Sequence, residues 1–176
     1  MGFGRIKDIS RKRLLTGCCM LAFFLTIIWL SPQILFLNFS DSIPRGLYLR
    51  IPVGTTVKVG DIVVYMPTDD VVVMMRSLGW LEDGQPPKPF LKYVGAISGD
   101  IFSVCGHSFS INGDYVGDVL NTDSKGQVLP RINGSFLVSD FEFLPISSNA
   151  HGFDGRYTGC VPINRIISKA IFLFGW

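Results

Sequence analysis

"IFSVCGHSFSINGDY", Ile101–Tyr115, decides the fold class. Two short runs rich in Ile, Val and Phe are followed by Asn112 and Gly113 between apolar residues, the pair that a type I′ hairpin turn demands because both its central residues take positive φ. The stretch reads as antiparallel strands, with Gly106 and His107 in a turn between the first two. The same texture extends in both directions. "GLYLRI", "TVKV", "DIVVYM", "DVVVMM", "SFLVSDFEFL" and "KAIFLFGW" are further short β-branched and aromatic runs, separated by "PVG", "NGD" and "SKGQ". Strands of this length and spacing predict a mainly β domain, a small barrel or sandwich. Two stretches break the pattern: Met75–Phe90 holds a helical turn and a Pro-rich loop, and Ile146–Pro162 is a loop long enough to expect a function for it.

Upstream the texture changes. No charged residue occurs from Leu14 to Ser40, and the run is long enough for the roughly 20 apolar residues of a membrane-spanning helix. Arg5, Lys7, Arg11, Lys12 and Arg13 precede it against Asp8 alone, which places the N-terminus in the cytoplasm and the body of the chain outside. A cleavable signal peptide shares the basic start, but the apolar run exceeds its usual length and no small-x-small cleavage site follows. The expected organisation is a basic cytoplasmic segment over 1–13, a transmembrane helix over 14–37 and a periplasmic domain over 38–176. Net charge is +2, and the basic residues form no stripe through the body, which argues against a nucleic-acid partner. Cys18 and Cys19 lie in the apolar run; Cys105 and Cys160 would face an oxidising compartment, where a disulfide and two free thiols are both open readings.

Few residues can do covalent chemistry. A Ser-His-Asp triad would need His107 or His151, a turn residue and a loop residue whose ordinary state is solvated, and no G-x-S-x-G elbow is present. A neutral lysine can replace the histidine when burial lowers its pKa from about 10.4. Lys92 in "PFLKYVGAISGD" has the apolar neighbours for this, although an isolated strand lysine more often points to water. "FSDSIPRGLYLR", Phe39–Arg50, puts serines in a turn-rich segment directly after the apolar run, where one of them is a candidate nucleophile.

"VKVGDIVVYMP" (Val57–Pro67), "KYVGAISGD" (Lys92–Asp100) and "SNAHGFDGRYTGCVP" (Ser148–Pro162) stand in the order and internal spacing of three motif blocks of the signal peptidase I family of Ser-Lys proteases. The chain resembles that family over nearly all of its length beyond the apolar run. "S-x-P-x-G-x-Y" from Ser42 to Tyr48, "RSLGWL" (Arg76–Leu81) and "DSKGQVLP" (Asp123–Pro130) are similar to segments of its TraF-type branch, the conjugative-transfer peptidases that mature the pilin of a type IV secretion system and in some members close it into a ring.

The resemblance implies a signal-peptidase-like fold and a serine endopeptidase that needs no cofactor and no metal. Ser42 matches the nucleophile and Lys92 the general base. Ser40 matches a serine whose hydroxyl helps the Ser42 N–H hold the oxyanion, and Asp154 and Arg156 match a charged pair that supports the site. Implied partners are a pilin or other membrane-inserted precursor, inner-membrane lipid and the conjugation machinery. One departure stands out: the family has a serine where this chain has Gly152, and its "DSR" is here Asp154-Gly155-Arg156. Ser147, Ser148 or a water would then orient Lys92. Rival readings are a general signal peptidase, and an assembly factor of the conjugation apparatus whose catalytic site has decayed.

Overall fold

In the computed structural model, which describes residues 15–26, 34–54, 56–149 and 152–176, Asn112 and Gly113 take φ of 52° and 88°. The signal that decided the fold class therefore forms the turn it predicts. In chain order the elements are helix α1 (15–26), strands β1 (Leu35–Asn38), β2 (Gly46–Ile51) and β3 (Ile62–Tyr65), helix α2 (Asp69–Ser77), and strands β4 (Phe90–Ile97), β5 (Ile101–Cys105), β6 (Ser108–Ile111), β7 (Asp114–Asp118), β8 (Gly134–Leu137) and β9 (Glu142–Ile146). A short helix α3 (Gly155–Thr158), strand β10 (Val161–Pro162), a 3-10 turn (Ile163–Arg165) and the long strand β11 (Ile166–Gly175) complete the chain. One sheet runs β1-β2-β11-β3-β4-β9-β10 and the other β7-β6-β5-β8. Every pairing between these strands is antiparallel.

β3 explains why "IVVY" is continuously apolar. Val63 packs with Tyr65, Val94 and Phe143, whereas Val64 packs with Ile43, Tyr48 and Leu91, so both faces of the strand are buried. A strand covered on both sides loses its alternation. A third cluster, including Phe102, Phe109, Leu144 and Tyr157, joins the two sheets. The large sheet curls, since β1 and β4 line one cleft although three strands lie between them in the sheet.

Three expectations are corrected. "DVVVMM" is helix α2 and not a strand: Thr68 caps it in an extended conformation, Asp69 and Asp70 lie in its first turn and Arg76 in its last. Those charges complement the helix dipole and outweigh the β preference of three valines. "TVKV" is a loop, because the Asp61 carboxylate accepts the Lys58 N–H at 2.8 Å and turns the chain before β3. "SFLVSDFEFL" is two strands in different sheets, broken at Phe141 with φ of 63°.

The apolar run is described in part: residues 15–26 are helical and exposed, residues 1–14 and 27–33 lie outside those described, and the sheet begins at Leu35. Leu35 to Asn38 pair in register with Leu49 to Gly46, which holds these four residues in extended conformation on one side of the sheet's edge. No helix among the described residues is long and apolar enough to cross a membrane.

Candidate active site

The Phe39–Arg50 segment is a braced turn. Asn38, buried at the end of β1, donates its side-chain amide to the carbonyls of Ser40, Ile43 and Pro44 at 3.0, 3.1 and 3.1 Å. Its Oδ1 accepts the Ser40 N–H at 3.1 Å and the Ser40 hydroxyl at 2.7 Å. Tyr48 donates its hydroxyl to the Pro44 carbonyl at 2.6 Å, and Ile43 is sealed in the core with it. Gly46 is required where β2 meets β11, since a Cβ there would collide with the Phe174 carbonyl and the Phe172 ring. The "S-x-P-x-G-x-Y" pattern thus has a mechanical content: it fixes the turn that carries Ser42. Ser42 is left half-buried, its carbonyl accepting the Ser148 N–H at 2.9 Å.

Lys92 arrives from β4, opposite Val63 of β3, and is only 4% exposed. Burial is the largest cause that pulls its pKa down from 10.5 to about 8; nearby Asp154 opposes the shift and Arg156 adds to it. Its Nζ donates to Ser147 Oγ at 2.8 Å. Ser147 is held in turn, its N–H donating to Asp154 Oδ2 at 2.7 Å. Asp154 also caps α3 and takes the Arg156 guanidinium on both carboxylate oxygens, at 2.9 and 3.1 Å. Arg156 reaches on to the Asp118 carbonyl at 2.8 Å and lies over the Phe109 ring, so this buried pair ties the long loop to the smaller sheet.

Ser40, Ser42 and Lys92 line one cleft of about 370 Å³, walled by Phe36, Leu37, Phe90 and Phe153. Asp154 and Arg156 stand behind it and reach Lys92 through Ser147. The chemical capacity of the arrangement is a serine hydroxyl and an amine whose neutral form is favoured by burial, in an apolar slot. Of the two histidines, exposed His107 has its Nδ1 3.0 Å from the Val119 carbonyl, and His151 lies outside the described residues. Cys105 and Cys160 are free thiols, and among the described residues no cluster of His, Cys, Asp or Glu gathers to hold a metal.

A family model described as signal peptidase, peptidase S26, matches residues 9–176. The chain belongs to the signal peptidase family. Serine endopeptidase activity on membrane-inserted precursors is the family's, and the curled antiparallel sheet suits its domain. No curated protein matches the chain. Against the usual pattern of signal peptidases, the lysine's hydrogen-bond partner comes from the end of β9, in Ser147. Asn38 was missed by sequence reasoning; the signal for it was a lone amide inside "LFLNFS", where an apolar strand had no evident use for one.

Proposed function

We propose that this protein is a membrane-anchored serine endopeptidase in which Ser42 is the nucleophile and Lys92 the general base, and that it matures the pilin precursor of a conjugative type IV secretion system. The observation that carries the reading is the buried Lys92, its pKa lowered to about 8, lining the same cleft as Ser42. A lysine so placed is neutral in an appreciable fraction near neutral pH and can accept a proton.

Ser42 Oγ attacks the scissile carbonyl carbon and its proton passes to Lys92 Nζ. The oxyanion takes the Ser42 N–H, with Ser40 in support; its hydroxyl, bound to Asn38 at rest, must rotate to donate. As the C–N bond breaks, Lys92 hands the proton to the departing amine and an acyl-enzyme remains. Water then adds to the ester carbon and frees the product, or the substrate's own N-terminal amine does so and closes a ring.

Two strand edges support an extended substrate. β1 ends its sheet, and Phe90 to Lys92 pair with β3 but precede the segment of β4 that pairs with β9. A chain lying between them would gain main-chain hydrogen bonds on both sides. Periplasmic exposure and inner-membrane anchoring are supported by the charge asymmetry around the apolar run and by exposed Phe39, Phe174 and Trp176, the first and last in ring contact at 5.7 Å. The Gly152 departure no longer favours a decayed site, because Ser147 already holds the lysine.

Mass spectrometry of the pilin subunit from cells carrying wild type, Ser42→Ala or Lys92→Ala tests the reading. The mature mass is expected with the wild type alone. The same mass from all three would remove the peptidase assignment for that substrate.

A further inference from the structure

The segments that the proton transfers leave unused meet beside Ser42. Trp80, in the "RSLGWL" run that leaves α2, donates its indole N–H to Gln127 Oε1 at 3.1 Å and sets its ring edge against Phe153, centroids 5.0 Å apart. Gln127 belongs to "DSKGQVLP", a loop that is itself well braced. Asp123 Oδ1 accepts the N–H groups of Lys125 and Gln127, each at 2.8 Å, Thr122 bridges Val128, and Leu129 N–H reaches the Asn121 carbonyl at 2.8 Å. This loop walls an open groove of about 910 Å³ whose other boundary includes Asp41 and Ser42. Ser42, Trp80 and Phe153 are common to this groove and to the apolar cleft, so the nucleophile stands where the two meet.

Polarity separates the two sides. The cleft is walled mostly by phenylalanines and leucines; the groove has Leu120, Leu129 and Tyr157 in its wall but is the more polar of the two, presenting Asn121, Thr122, Asp123, Ser124 and Lys125 in succession. A precursor cut beyond its membrane-inserted segment has that apolar segment before the scissile bond and a chain made for water after it. Apolar surface is best matched by the cleft, which continues along β1 toward Phe39, and hydrated chain by the groove.

We propose that the groove along the Asn121–Lys125 loop binds the polypeptide on the leaving side of the scissile bond, and that the Trp80–Gln127 contact holds the loop in the position that sets residue preference there. The ligand class is an extended, polar peptide whose new N-terminal amine lies at Ser42. The assignment rests on the peptidase reading above. Trp80 and Gln127 are positioning residues in it; Thr122 and Ser124 touch the substrate.

The full-length protein in detergent micelles is incubated with a proteome-derived peptide library, and cut sites are read by mass spectrometry on both sides of the bond. Thr122→Trp, which narrows the groove from an exposed position, and Gln127→Ala, which releases the Trp80 indole, are compared with Leu37→Trp in the cleft. Residue frequencies at the first three positions after the cut should change at least threefold in both groove variants; the positions before the cut should stay unaltered in Thr122→Trp and change less than those after it in Gln127→Ala, because Trp80 also borders the cleft. Leu37→Trp should do the reverse. Groove variants that shift only the preferences before the cut, or none, overturn the assignment. A wild-type cut profile that persists in Ser42→Ala is a separate result: it overturns the peptidase reading, and the leaving-side groove with it.

Discussion

Lys92 Nζ donates to Ser147 Oγ at 2.8 Å, and a Cβ at position 152 would fall inside that same Ser147 side chain. The two positions compete for one volume next to the lysine, so a hydroxyl can come from 147 or from 152 but not from both. Ser147→Ala should lower kcat about 10- to 100-fold with KM little changed, since it loosens the base and leaves substrate contacts alone. Gly152→Ser alone overpacks the site and should cost about 1–3 kcal/mol of stability. Combined with Ser147→Gly it should recover both stability and part of kcat. Steady-state kinetics and thermal melts of the three variants check this, and a Ser147→Ala enzyme with unaltered kcat would remove the positioning role.

The pH profile should carry the lysine's signature. In the proposed mechanism Lys92 accepts a proton only as the neutral amine, so kcat/KM should rise tenfold per pH unit up to about 8 and then level off. Arg156 helps to depress the lysine and Asp154 opposes the depression. Asp154→Asn should therefore move the rising limb to lower pH, and Arg156→Met to higher pH. Equal shifts in one direction would mean that the charges act only through the fold.

Much of this architecture is legible from residues. Asn112-Gly113 fixes one hairpin, "DIVVYM" reads as a strand, and the spacing of Lys92 from Asp100 matches a known block. The misreadings share a cause. In "DVVVMM" and "SFLVSDFEFL" the side chains favour strands everywhere, and what decides is local: two aspartates at a helix start, and one phenylalanine at positive φ. Ser147 was one of three open options because its proximity to Lys92 is created by strand pairing, β4 against β9, which no spacing along the chain encodes.

Asn38 has a bracing role that its sequence signal, a lone amide in an apolar run, does not specify. Its amide and carbonyl hold five groups of the turn that carries Ser42, so Asn38→Ala should unbrace Ser42 while leaving β1 able to pair. Leaving those groups without a buried partner costs about 1–3 kcal/mol. We expect a lower melting temperature together with a 10-fold or larger loss of kcat. Asn38→Asp keeps the acceptor for Ser40 but turns an oxygen toward three carbonyls, and should be as damaging. Amide hydrogen exchange over residues 39–46 measures the loosening directly; protection equal to wild type would contradict it.

Breaking the Asp154–Arg156 pair should cost more than any exposed pair could. Both side chains are almost wholly buried, whereas Asp41 and Arg45 form their 2.6 Å bridge in solvent, where water screens the attraction. Removing one partner of a buried pair leaves an uncompensated charge and costs about 3–5 kcal/mol. Arg156→Met also loses the bond to the Asp118 carbonyl and the contact with Phe109. Urea titration should show Arg156→Met far less stable than Arg45→Met, and comparable midpoints would refute the estimate.

Stability itself should depend on pH through Lys92, with a definite sign. The folded lysine titrates near 8 and the unfolded one near 10.5, so between these values the unfolded state binds more protons. Unfolding free energy then rises with pH across that window, and below it the folded state carries the full cost of a buried ammonium. Lys92→Met removes the charge at similar length. It should raise the melting temperature at pH 7 and abolish the lysine's share of the rise between pH 8 and 10.5, while eliminating activity. Chemical unfolding of both proteins at a series of pH values separates the two effects. If Lys92→Met is no more stable at pH 7, the lysine is not paying a desolvation cost there, and the physical basis for its action as a base is lost.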